Sequence, residues 1–275
     1  TREYGYAAIR RSTDHGLNWT EPNDLGTGIL STTDRYHCAP MPVLEHNGRL
    51  WRAFELAYGK RLHWPVTVCS ASVDADLLSA SSWTWADPYH HLWSEGQWIE
   101  GNVVIAPDGT LVNILRANVG ATAGVYEEAQ GEFAAMVHIS SDGTRLTHNR
   151  ETDLLNFPGG GVKFTIRYDE ISKKYWALGN KQTHPPAQRN TLVMTSSTDL
   201  IHWKIESRLL HHDDPIKHAF QYVDWLFEKD DLIVLSRTAY EDGLDGAHNG
   251  HDANYLTFHR ACGFRTRTMA SELLT

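Results

Sequence analysis

Short apolar runs are separated by polar turns along the whole chain, and this pattern predicts β-strands joined by turns. No stretch has the three-to-four-residue apolar spacing of a long amphipathic helix. One turn is typical of a hairpin, because Asn47-Gly48 separates two alternating runs. The predicted strands are residues 4–11, 18–22, 39–45, 49–56, 66–72, 83–86, 99–106, 111–117, 133–140, 146–149, 162–168, 175–179, 191–196, 203–207, 220–227, 232–237 and 255–260.

The predicted strands group into repeating units. Four nearly complete four-stranded units follow a half unit at the start, and no linker interrupts them, so we expect one domain over residues 1–275. Such units form a ring that protects their edges. Two interpretations stay open: closure as five blades, or the absence of one or two N-terminal blades of a larger ring.

A Ser-x-Asp turn recurs after the apolar runs. The fullest copy runs from Ser12 through Asp14 and Gly16 to Trp19, and we expect Trp19 to re-enter a sheet as an apolar anchor. The turn's aspartates are residues 14, 74, 142 and 199, at spacings of 60, 68 and 57. The pattern Ser-x-Asp-x-Gly-x-x-Trp resembles the Asp-box of sialidase-like β-propellers, and we predict an all-β, four-stranded-blade propeller. A structural turn is the favoured interpretation over a ligand contact.

Composition narrows the possible partners. The net charge is −9 and no basic stripe is present, which argues against nucleic acid. No apolar run is long enough to span a bilayer. The sequence opens at Thr1 without Met or a signal peptide, which predicts processing or truncation. Cys38, Cys69 and Cys262 fit three buried thiols better than a disulfide framework.

Polar residues gather where the repeat predicts that strand ends meet the ring axis. The first strands of the units begin near Arg35, His37, Glu100, Asn102, Lys163, His218, Gln221 and Tyr222, and the second strands end at Glu55, Arg116, Asn180 and Arg237. The loops that follow carry Lys60, Arg61, His63, Lys181, His184, Tyr240, Asp245, His248 and His251. Strand ends that only pack would be apolar, so these positions predict a site.

Four of these residues also have a structural interpretation. His37 fits a packed core histidine as well as a catalytic one. Glu100 fits a buried carboxylate paired with Lys163 or Arg167. Arg237 could hold a neighbouring loop, and Tyr222 could be a packed aromatic.

Two histidine-rich segments offer metal ligands by residue type alone. They are His248-x-x-His251-Asp252 and His211-His212-Asp213-Asp214, and neither has the spacing of a known metal motif. Whether the protein binds a divalent cation, either structural or within the site, therefore stays open. The glycine loop at 157–161 leads into a strand, which favours a tight turn over a phosphate cradle.

Several motifs resemble one family of sialidase-like propellers. They are Tyr36-His37-Cys38-Ala39-Pro40, Glu100-Gly101-Asn102, Phe157-Pro158-Gly159-Gly160, Lys163-Phe164-Thr165-Ile166-Arg167, Phe220-Gln221-Tyr222-Val223-Asp224-Trp225, Ser236-Arg237-Thr238-Ala239-Tyr240 and the run from His251 to His259. The family resembled is that of L-rhamnose-α-1,4-D-glucuronate lyases and rhamnosidases. The resemblance implies seven blades, with this sequence starting inside the second, a secreted or periplasmic location, and first-blade residues outside this sequence. True sialidases match less well, because their three-arginine clamp is not recognisable.

The resemblance implies β-elimination at a uronate-linked sugar. A base removes the proton on C5, a cation neutralises the carboxylate, and an acid protonates the leaving oxygen. We predict His37 as base and acid, with Tyr222 assisting it, and Lys163 and Arg237 as the neutralising cations. The predicted substrate-binding residues are Arg35, Glu100, Asn102, Arg167, His218, Gln221 and His251.

Two other functions stay open. A glycoside hydrolase, either an α-L-rhamnosidase or a sialidase-like enzyme, would need two carboxylates, for which Glu100 with Asp224 or Asp245 are the candidates. A non-catalytic glycan-binding propeller is the third. All three take an oligosaccharide or polysaccharide as partner.

Overall fold

The computed structural model describes residues 4–37, 39–57, 64–92, 96–118, 132–182 and 188–267. These residues form strands and two short 3-10 turns, at Ala80–Ser82 and Phe264–Thr266. Within the described ranges, no helix is long and apolar enough to cross a membrane. Cys38, Lys60, Arg61, His63 and His184 lie outside the described residues.

The strands form four antiparallel sheets in chain order. The first sheet holds β1 (Tyr4–Gly5), β2 (Tyr36–His37), β3 (Leu44–His46), β4 (Arg49–Leu56), β5 (Val66–Ser72) and β6 (Trp83–Trp85). The second holds β7 (Gln97–Ile105), β8 (Leu111–Asn118), β9 (Phe133–Ile139), β10 (Leu146–Thr147) and β11 (Leu154–Asn156). The third holds β12 (Thr165–Asp169), β13 (Lys174–Asn180), β14 (Thr191–Ser197) and β15 (Lys204–His211), and the fourth holds β16 (Ala219–Glu228), β17 (Asp231–Ala239) and β18 (Tyr255–Ala261).

Apolar clusters fill the gap between each pair of successive sheets. Trp51 and Trp98 pack between the first and second sheets, Phe157 and Phe164 between the second and third. Trp225 belongs to the cluster between the third and fourth. Because they are covered on both faces, the middle strands β5, β8 and β14 are buried along nearly their whole length. This succession of four antiparallel sheets, of six, five, four and three strands, confirms the predicted all-β propeller.

The predicted half unit at the start does not form a blade of its own. β1 is two residues long and pairs with β2 of the first sheet, and residues 18–22 contain no strand. Ala7 and Leu30 instead cover one face of the first sheet. The described chain therefore forms four sheets, so the estimate of about five blades is too high. The predicted single domain stays a prediction.

In three of the four Ser-x-Asp turns, those of Asp14, Asp142 and Asp199, the serine hydroxyl donates to the aspartate. In the other turn the Asp74 N–H donates to the Ser72 hydroxyl at 3.3 Å. In the first, the Ser12 hydroxyl donates to Asp14 at 2.8 Å, and Trp19 Nε1 donates to the Gly16 carbonyl at 2.9 Å. Trp19 is nevertheless 54% exposed, because no adjacent strand receives it, and its predicted role as a core anchor is wrong.

The cysteines are only in part as predicted. Cys69 is a buried free thiol, but Cys262 is a free thiol on the surface, which corrects the expectation that it is buried. Cys262 directly follows β18, whose side chains are largely exposed, so its position in the chain offers no core to enter.

Candidate active site

Two β-bulges place a carboxylate and a phenol at equivalent positions of two inner strands. The pairing of β7 with β8 shifts between Ile99 and Asn102, and that of β16 with β17 shifts between Gln221 and Asp224. Glu100 and Tyr222 lie in these bulges, with φ of 63° and 49°. Such angles are strained for residues other than glycine and are common at functional sites.

Glu100 is paired with an arginine of its own sheet. Its side chain is buried, and Arg116 Nη1 donates to Oε2 at 3.3 Å. Arg116 Nε also donates to the Gly161 carbonyl at 2.8 Å. The sequence interpretation of Glu100 as a buried, paired carboxylate holds, but its partner is Arg116 instead of Lys163 or Arg167.

His37 forms a second pair with Glu55 at the adjoining strand ends. The two residues face each other across β2 and β4, and His37 Nδ1 lies 2.9 Å from Glu55 Oε2. The other carboxylate oxygen of Glu55 accepts the Gly101 N–H at 3.3 Å. Burial alone would lower the pKa of His37, but the hydrogen bond and charge of Glu55, helped by Glu100, raise it above its ordinary value.

The positive charges of three guanidinium groups influence the pKa of the Tyr222 phenol. Arg237 stacks on the ring at 4.1 Å, and the charges of Arg116 and Arg189 also reach it. Burial and the charge of Glu100 raise the pKa of Tyr222, while the three arginines oppose this rise. Burial, together with Arg116, lowers the pKa of Arg189 to about 10. We call His37, Glu55, Glu100, Arg116, Arg189, Tyr222 and Arg237 the central cluster.

Sequence reasoning misses Arg189. It lies in the loop before β14, where its carbonyl accepts the Phe220 N–H at 2.8 Å and Asn180 Nδ2 at 3.1 Å. Its position in the loop after β13 is the available signal, since the same loop supplies Lys181 and His184 as candidates.

Several predicted residues bind neighbouring backbone. Asn102 bridges the second and third sheets, with Oδ1 accepting the Ile166 N–H at 3.0 Å. Asn180 bridges the third and fourth through the Phe220 carbonyl at 2.8 Å. Lys163 is buried and donates to the Val223 carbonyl at 2.6 Å, and burial lowers its pKa to about 8. The sugar-binding role of Asn102 and the carboxylate-neutralising role of Lys163 stay predictions.

The remaining candidates lie around the cluster. Gln221 Nε2 donates to the Gly250 and His251 carbonyls, at 2.6 and 3.0 Å, and Arg237 Nη2 donates to the His251 carbonyl at 2.8 Å. Arg237 therefore holds a neighbouring loop, as its structural interpretation predicts. The same side chain also stacks on Tyr222. The His251 ring lies 6.2 Å from that of Tyr222.

Three other predicted residues have contacts of their own. Arg35 is exposed and stacks on Tyr6 at 3.8 Å. Arg167 pairs with Asp224 at 3.0 Å. His218 is buried beside Asp214 and Glu241. Their predicted roles in substrate binding stay predictions.

No family model matches the sequence, and no curated protein matches it. Solved structures share the fold. The chain is similar to an N-acetylgalactosamine deacetylase from F. plautii in complex with blood group B trisaccharide (14% identity, TM-score 0.56, 94% of this chain and 82% of that one). It is also similar to the GH32 β-fructofuranosidase of Bombyx mori in complex with sucrose (13%, 0.54, 84% and 46%) and to the GH43 endo-arabinanase of Bacillus licheniformis (16%, 0.50, 94% and 88%).

The likeness is one of fold. The chain spans about half the length of the Bombyx mori protein, 46%. At these identities the shared feature is the propeller of antiparallel sheets, whose functional residues differ between proteins that share it.

Proposed function

We propose that the central cluster is the active site of a carbohydrate-active enzyme that cleaves an acidic glycan. The observation that carries this proposal is the surplus of positive charge around Tyr222. Arg116, Arg189 and Arg237 all act on its phenol, whereas Glu100 is the carboxylate that acts there with them. Guanidinium groups bind carboxylates in a bidentate manner, so this arrangement suits the carboxylate of a uronate.

The chemistry that fits is β-elimination. Neutralisation of the uronate carboxylate by Arg189 and Arg237 would make the C5 proton more acidic. His37 would remove it through Nε2, because its Nδ1 is held by Glu55 at 2.9 Å. Tyr222, whose raised pKa keeps the phenol protonated at neutral pH, would donate its proton to the leaving oxygen.

The resemblance to rhamnosyl-glucuronate enzymes refines the substrate. It supports cleavage at a rhamnosyl-α-1,4-glucuronate linkage, and the recurring Ser-x-Asp turns support the sialidase-like group as a whole. The solved structures of similar fold include enzymes of carbohydrates by name, which supports a glycan substrate. The predicted secreted or periplasmic location rests on the same resemblance.

Hydrolysis is the second candidate, and the position of Tyr222 is the observation that favours it. A tyrosine nucleophile is one known alternative to a pair of carboxylates in glycosidases. The carboxylate pairs predicted from the sequence fit less well. The Asp224 side chain is 52% exposed and paired with Arg167. Asp245 lies in an exposed loop.

The test is incubation with a rhamnosyl-glucuronate glycan while ultraviolet absorbance and free rhamnose are both followed. New absorbance from an unsaturated uronate supports elimination. Free rhamnose without new absorbance supports hydrolysis. Binding without either product supports the glycan-binding propeller and overturns an enzymatic role on this substrate.

Variants locate the chemistry. His37→Ala and Tyr222→Phe should each lower kcat by about 100-fold or more, and the exposed His202→Ala should leave it unchanged. Glu55→Gln should also move the acidic limb of the kcat/KM profile to lower pH, because Glu55 raises the pKa of His37. Full activity of His37→Ala would rule out the proposed base.

A further inference from the structure

A second cluster of titratable side chains lies outside the central cluster, at the ends of three strands. His212 follows β15, His218 precedes β16, and Glu241 follows β17. Each offers one ligand atom, and the three atoms lie within 4.8 Å of one another. Among the described residues, it is the group of three His, Cys, Asp or Glu side chains whose ligand atoms lie this close together. We call these residues the His-His-Glu cluster.

The strongest sign of a ligand is the buried nitrogen of His218. The residue is 5% exposed, and its Nε2 has no hydrogen-bond partner. That nitrogen faces Glu241 Oε1 at 3.3 Å. Around a tetrahedral zinc ion with bonds of about 2.0–2.1 Å, adjacent ligand atoms are roughly 3.3–3.5 Å apart. The pair already has the spacing of two zinc ligands.

The opposite nitrogen of the same ring is held by a carboxylate. His218 Nδ1 lies 3.1 Å from Asp214 Oδ2, at an aspartate that the turn also uses to accept the Ile216 N–H at 2.8 Å. A carboxylate on the far nitrogen fixes the tautomer that leaves the Nε2 lone pair available, which is the usual arrangement behind a metal-binding histidine.

His212 completes the set. Its ring stacks on that of His218, with centroids 3.5 Å apart, and the Tyr240 ring packs edge-on against both. Its Nδ1 now accepts the Asp214 N–H at 3.1 Å, and a metal ion bound through Nδ1 would replace this bond. Two imidazoles and one carboxylate are a donor set that suits zinc.

We propose that His212, His218 and Glu241 bind one Zn²⁺ ion that ties the segment at 212–218 to the loop that begins at 240. Both segments reach the central cluster through backbone contacts. Asn190, next to Arg189, donates to the His212 carbonyl at 2.6 Å. The Gly250 N–H donates to the Ile216 carbonyl at 2.5 Å, and the neighbouring His251 carbonyl holds Arg237. The ion would therefore fix the loop on which Arg237 rests.

The test is zinc binding by the full chain after chelator treatment, with ZnCl₂ as the probe. We expect one ion per chain by mass spectrometry under native conditions and by calorimetry, and a rise in Tm that MgCl₂ does not reproduce. His218→Ala and Glu241→Gln should each weaken zinc binding by tenfold or more. Because Glu241 is exposed, its variant is expected to fold even if His218→Ala does not.

Two controls separate this site from other histidines. His202→Ala removes an exposed histidine paired with Asp199 and should leave zinc affinity unchanged. The double variant His248→Ala, His251→Ala removes the other histidine-rich segment and should also bind one ion. If the wild-type chain takes up no zinc, the proposal is overturned. It is also overturned if zinc binding persists in both Glu241→Gln and His218→Ala, or if binding is lost only in the His248/His251 variant.

Discussion

At the scale of single residues, similar polar side chains at strand ends divide into two groups. The side-chain amides of Asn102 and Asn180 form hydrogen bonds with the backbone of the next sheet. Glu100 and Tyr222 instead lie in bulges at positive φ. The first arrangement satisfies buried backbone groups, and the second aims a side chain at the cost of strain. The division therefore depends on local backbone geometry more than on residue type.

Asn102→Ala should lower the free energy of unfolding by about 1–3 kcal/mol, because it leaves the buried Ile166 N–H without its acceptor. Urea denaturation measures this difference. Asn23→Ala, at an exposed position, is the control and should change stability by about 0.5 kcal/mol or less. An Asn102→Ala protein of wild-type stability but raised KM would instead support the predicted contact with sugar hydroxyls.

The limits of prediction from sequence are clearest for the same residues. Convergence of the strand ends of the predicted repeat is enough to indicate Glu55, Glu100, Arg116 and Arg237. It does not indicate that Glu100 pairs with Arg116, because a bulge redirects a side chain and leaves no mark in the alternation of residues. Arg189 escapes prediction since its loop has no periodicity from which its direction follows.

At the scale of elements, strand prediction succeeds where the apolar run is long. The predicted strand 66–72 coincides with β5, and 49–56 with β4. The sequence does not predict β2 as a strand of its own, and it does not predict β11 at all. These strands have two and three residues and pair with distant partners, so their own sequences carry little signal.

The bulge in β7 depends on Gly101. A Cβ at this position would lie 2.3 Å from Asn113 Oδ1 and 2.9 Å from Ala53 Cβ. Asn113 is fully buried, so its amide has no room to move aside. The glycine thus permits the close approach of β8 that sets the position of Glu100.

Gly101→Ala should lower the free energy of unfolding by about 1–3 kcal/mol through overpacking. Gly5→Ala is the control, because nothing lies within 4 Å of a Cβ there. Adding Asn113→Ala to Gly101→Ala should recover part of the loss, as the main clash is removed. Thermal or urea unfolding of the four proteins gives the answer, and a Gly101→Ala variant as stable as Gly5→Ala would contradict the packing argument.

A bidentate ion pair fastens the C-terminal 3-10 turn to the third sheet. Arg265 donates from Nε and Nη2 to the two oxygens of Asp169, at 2.7 and 2.8 Å, and the carboxylate is buried. The hydrogen bonds from Arg265 hold the pKa of Asp169 far below its ordinary value of 3.8. A depressed carboxyl pKa contributes stability above the unfolded value, and this contribution is lost as pH falls through the folded pKa.

Arg265→Met should therefore destabilise the protein by about 2 kcal/mol at pH 7. Its deficit relative to wild type should shrink as pH falls below the ordinary aspartate pKa of 3.8, because the unfolded state then takes up protons that the pair excludes. Arg10→Met is the control, since Arg10 makes a similar pair with Glu21 at an exposed site and should cost about 1 kcal/mol or less. A deficit independent of pH would mean that Arg265 stabilises the protein through its other contacts, with the Lys229 carbonyl, Asp230 and the Phe264 ring, and not through Asp169.

At the scale of the whole molecule, charge is distributed unevenly. The chain carries a formal charge of −9, yet guanidinium groups converge at the central cluster. The net charge repels an acidic glycan at long range, and the arginines attract it at contact. Salt affects these two effects differently, because the Debye length falls from about 30 Å at 0.01 M to about 8 Å at 0.15 M, while desolvated contacts are screened less.

If the substrate is a uronate glycan, kcat/KM should stay level or rise up to a few-fold as salt increases from about 0.01 to 0.15 M. Enzymes that steer an oppositely charged substrate show the reverse, a steep fall in association rate with salt. Initial rates at low substrate concentration across this range measure the effect, with a neutral glycan as the reference. Arg237→Gln should lower kcat/KM at every salt concentration without changing the slope, because its contact with the carboxylate is short-ranged. A steep fall of wild-type kcat/KM with salt would contradict this expectation. It would show that the positive charge of the cluster attracts the glycan at long range despite the net charge of the chain.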